Sequence, residues 1–288
     1  MISSIYSIAS ASFREGYKKR LFHLVGILTL LYLLIFGQLI HYSVKSMVEE
    51  SQSSILVFVN VSTIVALLGF YFSSMVVAFL TIMSSIGLVS SDIESGTIYA
   101  VITKPLKRSS YILGKYLGTA ALLIIYSTFL YCTMIILPLT VNVSFFQTFG
   151  MSRLLLGLIF FIFEPLVILS LCILGSVTFK TLNNGIFIVC VYILGLIGGV
   201  LEQIGLIIKS DGLFKLGILS SLVSPFDSVY RKMMDSIFSS SGILSSSSGL
   251  GLFTGTQVVP SIWMTIYTLV YLIACVYLSI HSFKEKNI

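Results

Sequence analysis

Two carboxylates, Asp92 and Glu94, then a Gly96-Thr97 pair, then Lys104, Lys107, Arg108 and Lys115 crowd into residues 90–116, SSDIESGTIYAVITKPLKRSSYILGKY, between two long apolar runs. Acid first and base second, with Ile98 to Ile102 between, suits the docking of a soluble partner better than bond-making. Catalysis would need a converging constellation, and the sequence offers none. His23, His41 and His281 sit at or near the ends of apolar runs, the carboxylates are scattered, and neither HExxH nor GxSxG occurs. A GxxxxGK[ST] phosphate loop is also missing. Gly114-Lys115 lacks the upstream glycine and the following hydroxyl, so this chain does not hydrolyse ATP by a P-loop and is expected to carry no cofactor of its own.

A second residue stands out for its place. Glu164-Pro165 lies inside the apolar run LIFFIFEPLVILS, where a carboxyl costs a few kcal/mol on insertion scales and faces a bundle interior or a water-filled path. Two readings are open. Glu164 lines a translocation path or takes part in gating, or it is protonated or hydrogen-bonded to a neighbouring helix and serves assembly. Pro165 removes one backbone hydrogen bond and is expected to kink the helix.

The elements around these residues belong to a bilayer. A chain of 288 residues with 57% hydrophobic and 10% charged residues, and a mean hydropathy of +1.05, cannot hide its apolar side chains in one water-soluble core. Runs long enough to span lie at 21–40, 57–89, 112–138, 154–179, 185–208 and 259–281, which predicts an all-α membrane protein with six transmembrane helices. The second run could instead be a tight hairpin of two. With six spans and a cytoplasmic N-terminus, Arg14, Lys18, Lys19, Arg20, Lys104, Lys107, Arg108, Lys115, Lys180, Lys284 and Lys286 fall inside, and the short outer loops hold only Lys45 and Arg153. That obeys the positive-inside rule. A hairpin at 57–89 would put Lys104, Lys107 and Arg108 outside, so one long helix is preferred and both termini are expected in the cytoplasm. The net charge of +6 is then a topology signal, with anionic lipid as its additional contact, and argues for no nucleic-acid partner.

Before the first span, Ile5, Ala9, Phe13 and Tyr17 recur every four residues, while Arg14, Glu15, Lys18 and Lys19 fall elsewhere. This predicts an amphipathic helix over 3–20 lying in the inner interface, with Arg14, Lys18, Lys19 and Arg20 at the lipid surface. In the fifth span Gly195 and Gly199 make a GxxxG pair suited to close helix packing, with a dimer contact as the alternative. Residues 209–257 read as an extracytoplasmic loop with short interfacial helices. Within it Ser224-Pro225-Phe226-Asp227 opens a helix whose apolar stripe is Phe226, Val229, Met233 and Ile237, lying on or dipping into the outer leaflet. Cys132, Cys172, Cys190 and Cys275 all lie in apolar runs without CxxC spacing and read as small core residues, not as disulfides or metal ligands.

These features together resemble the permease subunits of ABC type-2 exporters. The segment from 90 to 116, a cytoplasmic coupling loop or helix over 90–111 followed by the third span, carries the specific part of the likeness: Asp92, Glu94-Ser95-Gly96-Thr97, the apolar Ile98 to Ile102, Thr103-Lys104-Pro105, Lys107-Arg108 and Gly114-Lys115. The branch it looks most like is the permease type of nitrous-oxide reductase maturation. The resemblance implies a type V exporter fold with an elbow helix at 3–20, a second copy of the permease, and two copies of an ABC ATPase that bind ATP and Mg in a prokaryotic plasma (inner) membrane. It leaves room for an extracytoplasmic accessory protein. The residues it assigns to ATPase coupling are Asp92, Glu94, Gly96, Thr97, Ile98, Tyr99, Lys104 and Pro105, with a short helix started by Gly96-Thr97, stopped by Pro105, and with Asp92 and Glu94 at its positive end. The alternative is an ion-coupled carrier or channel with six spans, for which Glu164 would be the lone titratable group.

Overall fold

The computed structural model describes residues 2–49, 55–102, 107–140, 151–238 and 259–286. They form eleven helices, and no strand occurs among them. In order these are α1 (Ile2–Lys18), α2 (Arg20–Glu49), α3 (Ile55–Ser85), α4 (Ser90–Glu94), α5 (Thr97–Ile102), α6 (Arg108–Thr140), α7 (Met151–Thr178), α8 (Thr181–Ile208), α9 (Asp211–Val223), α10 (Phe226–Phe238) and α11 (Ile262–Glu285). Six of them, α2, α3, α6, α7, α8 and α11, are long and apolar enough to cross a membrane.

Helices predominate because backbone polar groups in lipid must be satisfied within the segment. Close contact, not exclusion of water, then holds the helices together, so small residues mark where they touch. α3 runs unbroken through Gly69. The missing side chain there admits the Phe36 ring of α2, which a Cβ would overlap, and the Gly69 carbonyl accepts the Tyr32 hydroxyl at 2.5 Å. α7 likewise continues through Pro165. α3 and α7 form the centre, and both are more buried than the outer helices α2, α8 and α11.

α1 lies along α6. Its Ile8, Ala9 and Ser12 seat on Gly114 and Gly118, a small-residue pair four apart that brings the two backbones together. Of the cysteines, Cys172 and Cys275 are buried, whereas Cys132 and Cys190 face outward from the bundle, contrary to the expectation that all four lie in the core; all are free thiols.

The stretch after the fifth span is more deeply built than a surface loop. α8 ends on Lys209 in the left-handed conformation, φ 56°, with the Ser210 N–H reaching back to the Gly205 carbonyl at 2.9 Å, a helix stop of the kind that reverses direction. α9 then descends antiparallel along α8, and α10 rises again between α8 and α7. The glycines of α8 receive this hairpin. Phe214 packs on Gly205, Ser220 on Gly198, Ser224 on Gly195 and Asp227 on Gly199. The GxxxG pair of the fifth span is therefore consumed within the chain, not by a second copy. From Leu194, whose carbonyl accepts the Ser220 hydroxyl at 2.6 Å, to Ile208 the helix climbs about 21 Å at 1.5 Å per residue, roughly two thirds of a hydrocarbon core. The hairpin tip is thus re-entrant. Residues 239–257, the rest of the expected outer loop, lie outside the described residues.

Candidate functional site

The segment singled out by its charges folds as two short helices on one face of the bundle. Gly96 sits between them at φ +73°, a left-handed conformation that only glycine adopts without strain. The turn swings α5 away from α4, so Thr97 and Tyr99 are exposed while Ile98 is buried. Ile98 plugs a cluster of Val89, Tyr111, Ile112, Ile173, Val177 and Phe283, drawn from three other helices and the turn before α4. Lys104 and Pro105 lie outside the described residues.

Both carboxylates have partners inside the chain instead of standing at the front of α5. Glu94 accepts the Thr181 N–H at 2.9 Å and the Thr181 hydroxyl at 3.1 Å, so it caps the positive end of α8. Asp92 pairs with Lys115 at 2.8 Å and accepts the Tyr111 hydroxyl. Lys115 also reaches Glu15 of α1 at 3.0 Å. The physical reason is the turn at Gly96, which points α4 at α6 and α8 and leaves α5 to face outward. A further tie comes from Ser176 of α7, whose hydroxyl oxygen accepts the N–H groups of Val89 and Ser90, both at 2.9 Å.

The C-terminal end joins the same face. Arg108 donates to the Lys284 and Lys286 carbonyls at 3.0 and 2.9 Å, Lys286 donates to the Val177 carbonyl at 2.7 Å, and Phe283 stacks on Tyr111 with ring centroids 5.6 Å apart. Five of the six spanning helices, together with α1, α4 and α5, are therefore hydrogen-bonded or packed together around residues 86–115. Of the expected lipid-surface residues, Arg14, Lys18 and Arg20 are exposed, and Lys19 is half-buried in an ion pair with Glu15 at 3.4 Å.

A second polar group lies in the middle of the bundle. Glu164 is 3% exposed, and the Ser74 hydroxyl of α3 lies 2.7 Å from each of its oxygens. Arg231 of α10, also buried, reaches Glu202 of α8 at 2.7 Å and Asp227 one turn earlier at 2.8 Å. Tyr230 of α10 packs on Tyr71 of α3 with ring centroids 5.6 Å apart, and Tyr192 of α8 stacks on Phe226 at the start of α10 at 6.2 Å. Two carboxyls and one guanidinium thus meet where α10 packs on α8, while Glu164 is held separately by Ser74 of α3. No group of three or more His, Cys, Asp or Glu arranged to hold a metal occurs among the described residues.

Sequence reading brought Asp92, Glu94 and Lys115 to one segment but missed Glu15, Ser176 and Thr181 as their partners. It also missed the Glu202–Arg231–Asp227 triad. Two signals could have found the triad: Asp227 and Arg231 are four apart on a helix and face each other, and Glu202-Gln203 interrupts an otherwise apolar run.

The structure is a bundle with six helices long and apolar enough to cross a membrane, one face tied around a short turned-out helix and an ion cluster buried beneath a helical hairpin, the build of a multi-pass membrane protein. Residues 6–288 match the family described as ABC-2 family transporter protein. The chain belongs to that family, and so is a multi-pass membrane permease subunit of the ABC type. No curated protein matches it closely enough to count as a relative.

Proposed function

We propose that this chain forms the translocation path of an exporter and is driven by a separate ATPase that docks on α5. The observation that carries the reading is the division of labour across Gly96: Ile98 and both carboxylates anchor the element inward, while Tyr99, 60% exposed, and Thr97 point away from the bundle. An exposed aromatic held on a rigid, internally braced helix is the kind of residue that dominates a protein interface. A sequence without a phosphate loop fits the reading in which the partner binds ATP and Mg. The resemblance to type-2 exporters supports the export direction, a pair of permease chains served by two ATPase copies, and a prokaryotic plasma membrane. The count of cationic flanks supplies cytoplasmic termini.

The test is capture of the ATPase by the tagged chain. Tyr99→Ala is expected to weaken docking by about 2 kcal/mol or more, roughly thirtyfold, while thermal unfolding in detergent stays unchanged. Gly96→Pro should act differently. Proline cannot adopt a positive φ and deletes the Gly96 N–H bond to Ile93 O, so docking and ATP stimulation both go while the six spans still insert. Unchanged capture by both variants would place the ATPase elsewhere.

For Glu164 we infer a path or gating role, supported by its position against the hairpin tip. Glu164→Gln is nearly isosteric and keeps a hydrogen bond to Ser74, so unfolding should be little changed while ATP turnover by the assembled transporter shifts. Ser74→Ala leaves the carboxyl buried without its donor and should cost about 1–3 kcal/mol. If Glu164→Gln is the more destabilising of the two and turnover per intact complex is normal, Glu164 serves packing alone.

A further inference from the structure

The elbow between α1 and α2 encloses a groove of about 440 Å³ against α6, lined by Phe13, Tyr17, Phe22, Ile125, Tyr126 and Phe129 together with Leu122. It is wholly apolar in its side-chain walls, apart from two tyrosine hydroxyls, and it opens outward: Tyr17 is 57%, Ile125 61% and Phe129 59% exposed. The cations beside it are uncommitted. Arg14 follows Phe13, Lys18 follows Tyr17 and Arg20 precedes Phe22 by two residues; all three are exposed, and none makes an ion pair or hydrogen bond among the described residues. Glu15, on the other side of α1, and Lys19 just past its end are by contrast paired with Lys115 and with each other.

We propose that this groove binds one anionic phospholipid, an acyl chain lying along Phe13, Tyr17 and Phe129 and the headgroup phosphate held by Arg14, Lys18 and Arg20. Charge decides the occupant. A second copy of this chain would bring the same three cations against their like, whereas a lipid supplies the missing anion and the apolar tail together. The site is also wired to the docking face. Glu15, two residues from both Phe13 and Tyr17 and so on the other side of α1, reaches Lys115, which holds Asp92 of α4, so a lipid that fixes α1 as a whole fixes the brace behind α5. That consequence rests on the docking role proposed for α5; the binding itself does not.

Retention is measured on the purified full chain by native mass spectrometry after exchange into equal amounts of dioleoyl phosphatidylglycerol and dioleoyl phosphatidylcholine. One phosphatidylglycerol is expected to stay bound, favoured by roughly fivefold for each cation that contacts it. Ile125→Trp, at an exposed position that tolerates bulk, should fill the groove and abolish retention, and the combined Arg14→Gln, Lys18→Gln, Arg20→Gln variant should hold the two lipids equally. Equal retention of both lipids by the unaltered chain overturns the proposal. So does undiminished phosphatidylglycerol retention in both variants, or a lipid-free dimer, which would give the groove to a second copy. None of these readings involves the ATPase, so the docking proposal stands or falls separately.

Discussion

Replacing Arg231 by methionine is expected to release the re-entrant hairpin from the bundle while leaving the six spans inserted. Among the described residues its guanidinium is the cation that pairs with both Glu202 and Asp227, and its side chain is 1% exposed. Removing one partner from a buried ion cluster leaves uncompensated charge and costs about 3–5 kcal/mol. Insertion should be unaffected, because the hydropathy that directs the spans resides in α2, α3, α6, α7, α8 and α11. The loss should instead appear as protease cutting within α9 and α10 and as a lower unfolding temperature. The variant carrying Glu202→Gln, Asp227→Asn and Arg231→Met together should recover much of that loss, since removing a whole buried ion cluster is often nearly neutral. Gly199→Ala should resemble the single variant, because a Cβ there would overlap the Asp227 carboxylate. Protease resistance and unfolding at the unaltered level in Arg231→Met would show that glycine packing alone holds the hairpin.

The contrast between the hairpin and the spans shows where sequence reading stops. Spans are visible because a bilayer demands some twenty apolar residues in a row, so α2, α6, α7 and α11 announce themselves without tertiary knowledge. The helix α1 is visible too, through the four-residue recurrence of Ile5, Ala9, Phe13 and Tyr17. The hairpin is invisible by that rule. α9 and α10 are each 13 residues long, too short to span, and α10 contains Asp227, Arg231, Lys232 and Asp235, so its apolar stripe of Phe226, Val229, Met233 and Ile237 takes it no deeper in the sequence than the outer leaflet. It enters the bundle because that stripe is buried against α3 and α7, because Gly195, Gly198 and Gly199 leave it room, and because Glu202 meets Arg231, a pairing across 29 residues whose two halves show in the sequence while their meeting does not. The docking segment falls between these extremes. Gly96-Thr97 as a helix start could be read from local chemistry, but the direction in which Asp92 and Glu94 point depends on Lys115 and Thr181, each supplied by a different helix.

Lys115→Met is expected to uncouple the elbow helix from the docking face. Lys115 joins three elements: its own α6, Glu15 of α1 at 3.0 Å and Asp92 of α4 at 2.8 Å. The two links differ in strength. The Glu15 side chain is 46% exposed, so water replaces the lysine readily and that pair contributes about 0–1 kcal/mol. Asp92 is 20% exposed, and losing a charged hydrogen-bond partner there costs about 1.5–3 kcal/mol, with the Tyr111 hydroxyl still in place to hold part of the geometry. The α4 end should therefore loosen while the α1 end is merely hydrated. Unfolding temperature should fall modestly, ATPase capture through Tyr99 should persist, and the ATP turnover of the complex should drop toward that of the free ATPase. Asp92→Asn should give the same phenotype, and the double variant should add little to either, because the two residues act through one contact and a cycle of the four proteins should return a coupling of about 0.5–3 kcal/mol. Glu15→Gln, which cuts only the exposed link, should leave turnover near the unaltered value. Full stimulation in Lys115→Met, or strictly additive losses in the double variant, would mean that force enters the bundle through Glu94 and the start of α8 instead of through Asp92 and α6.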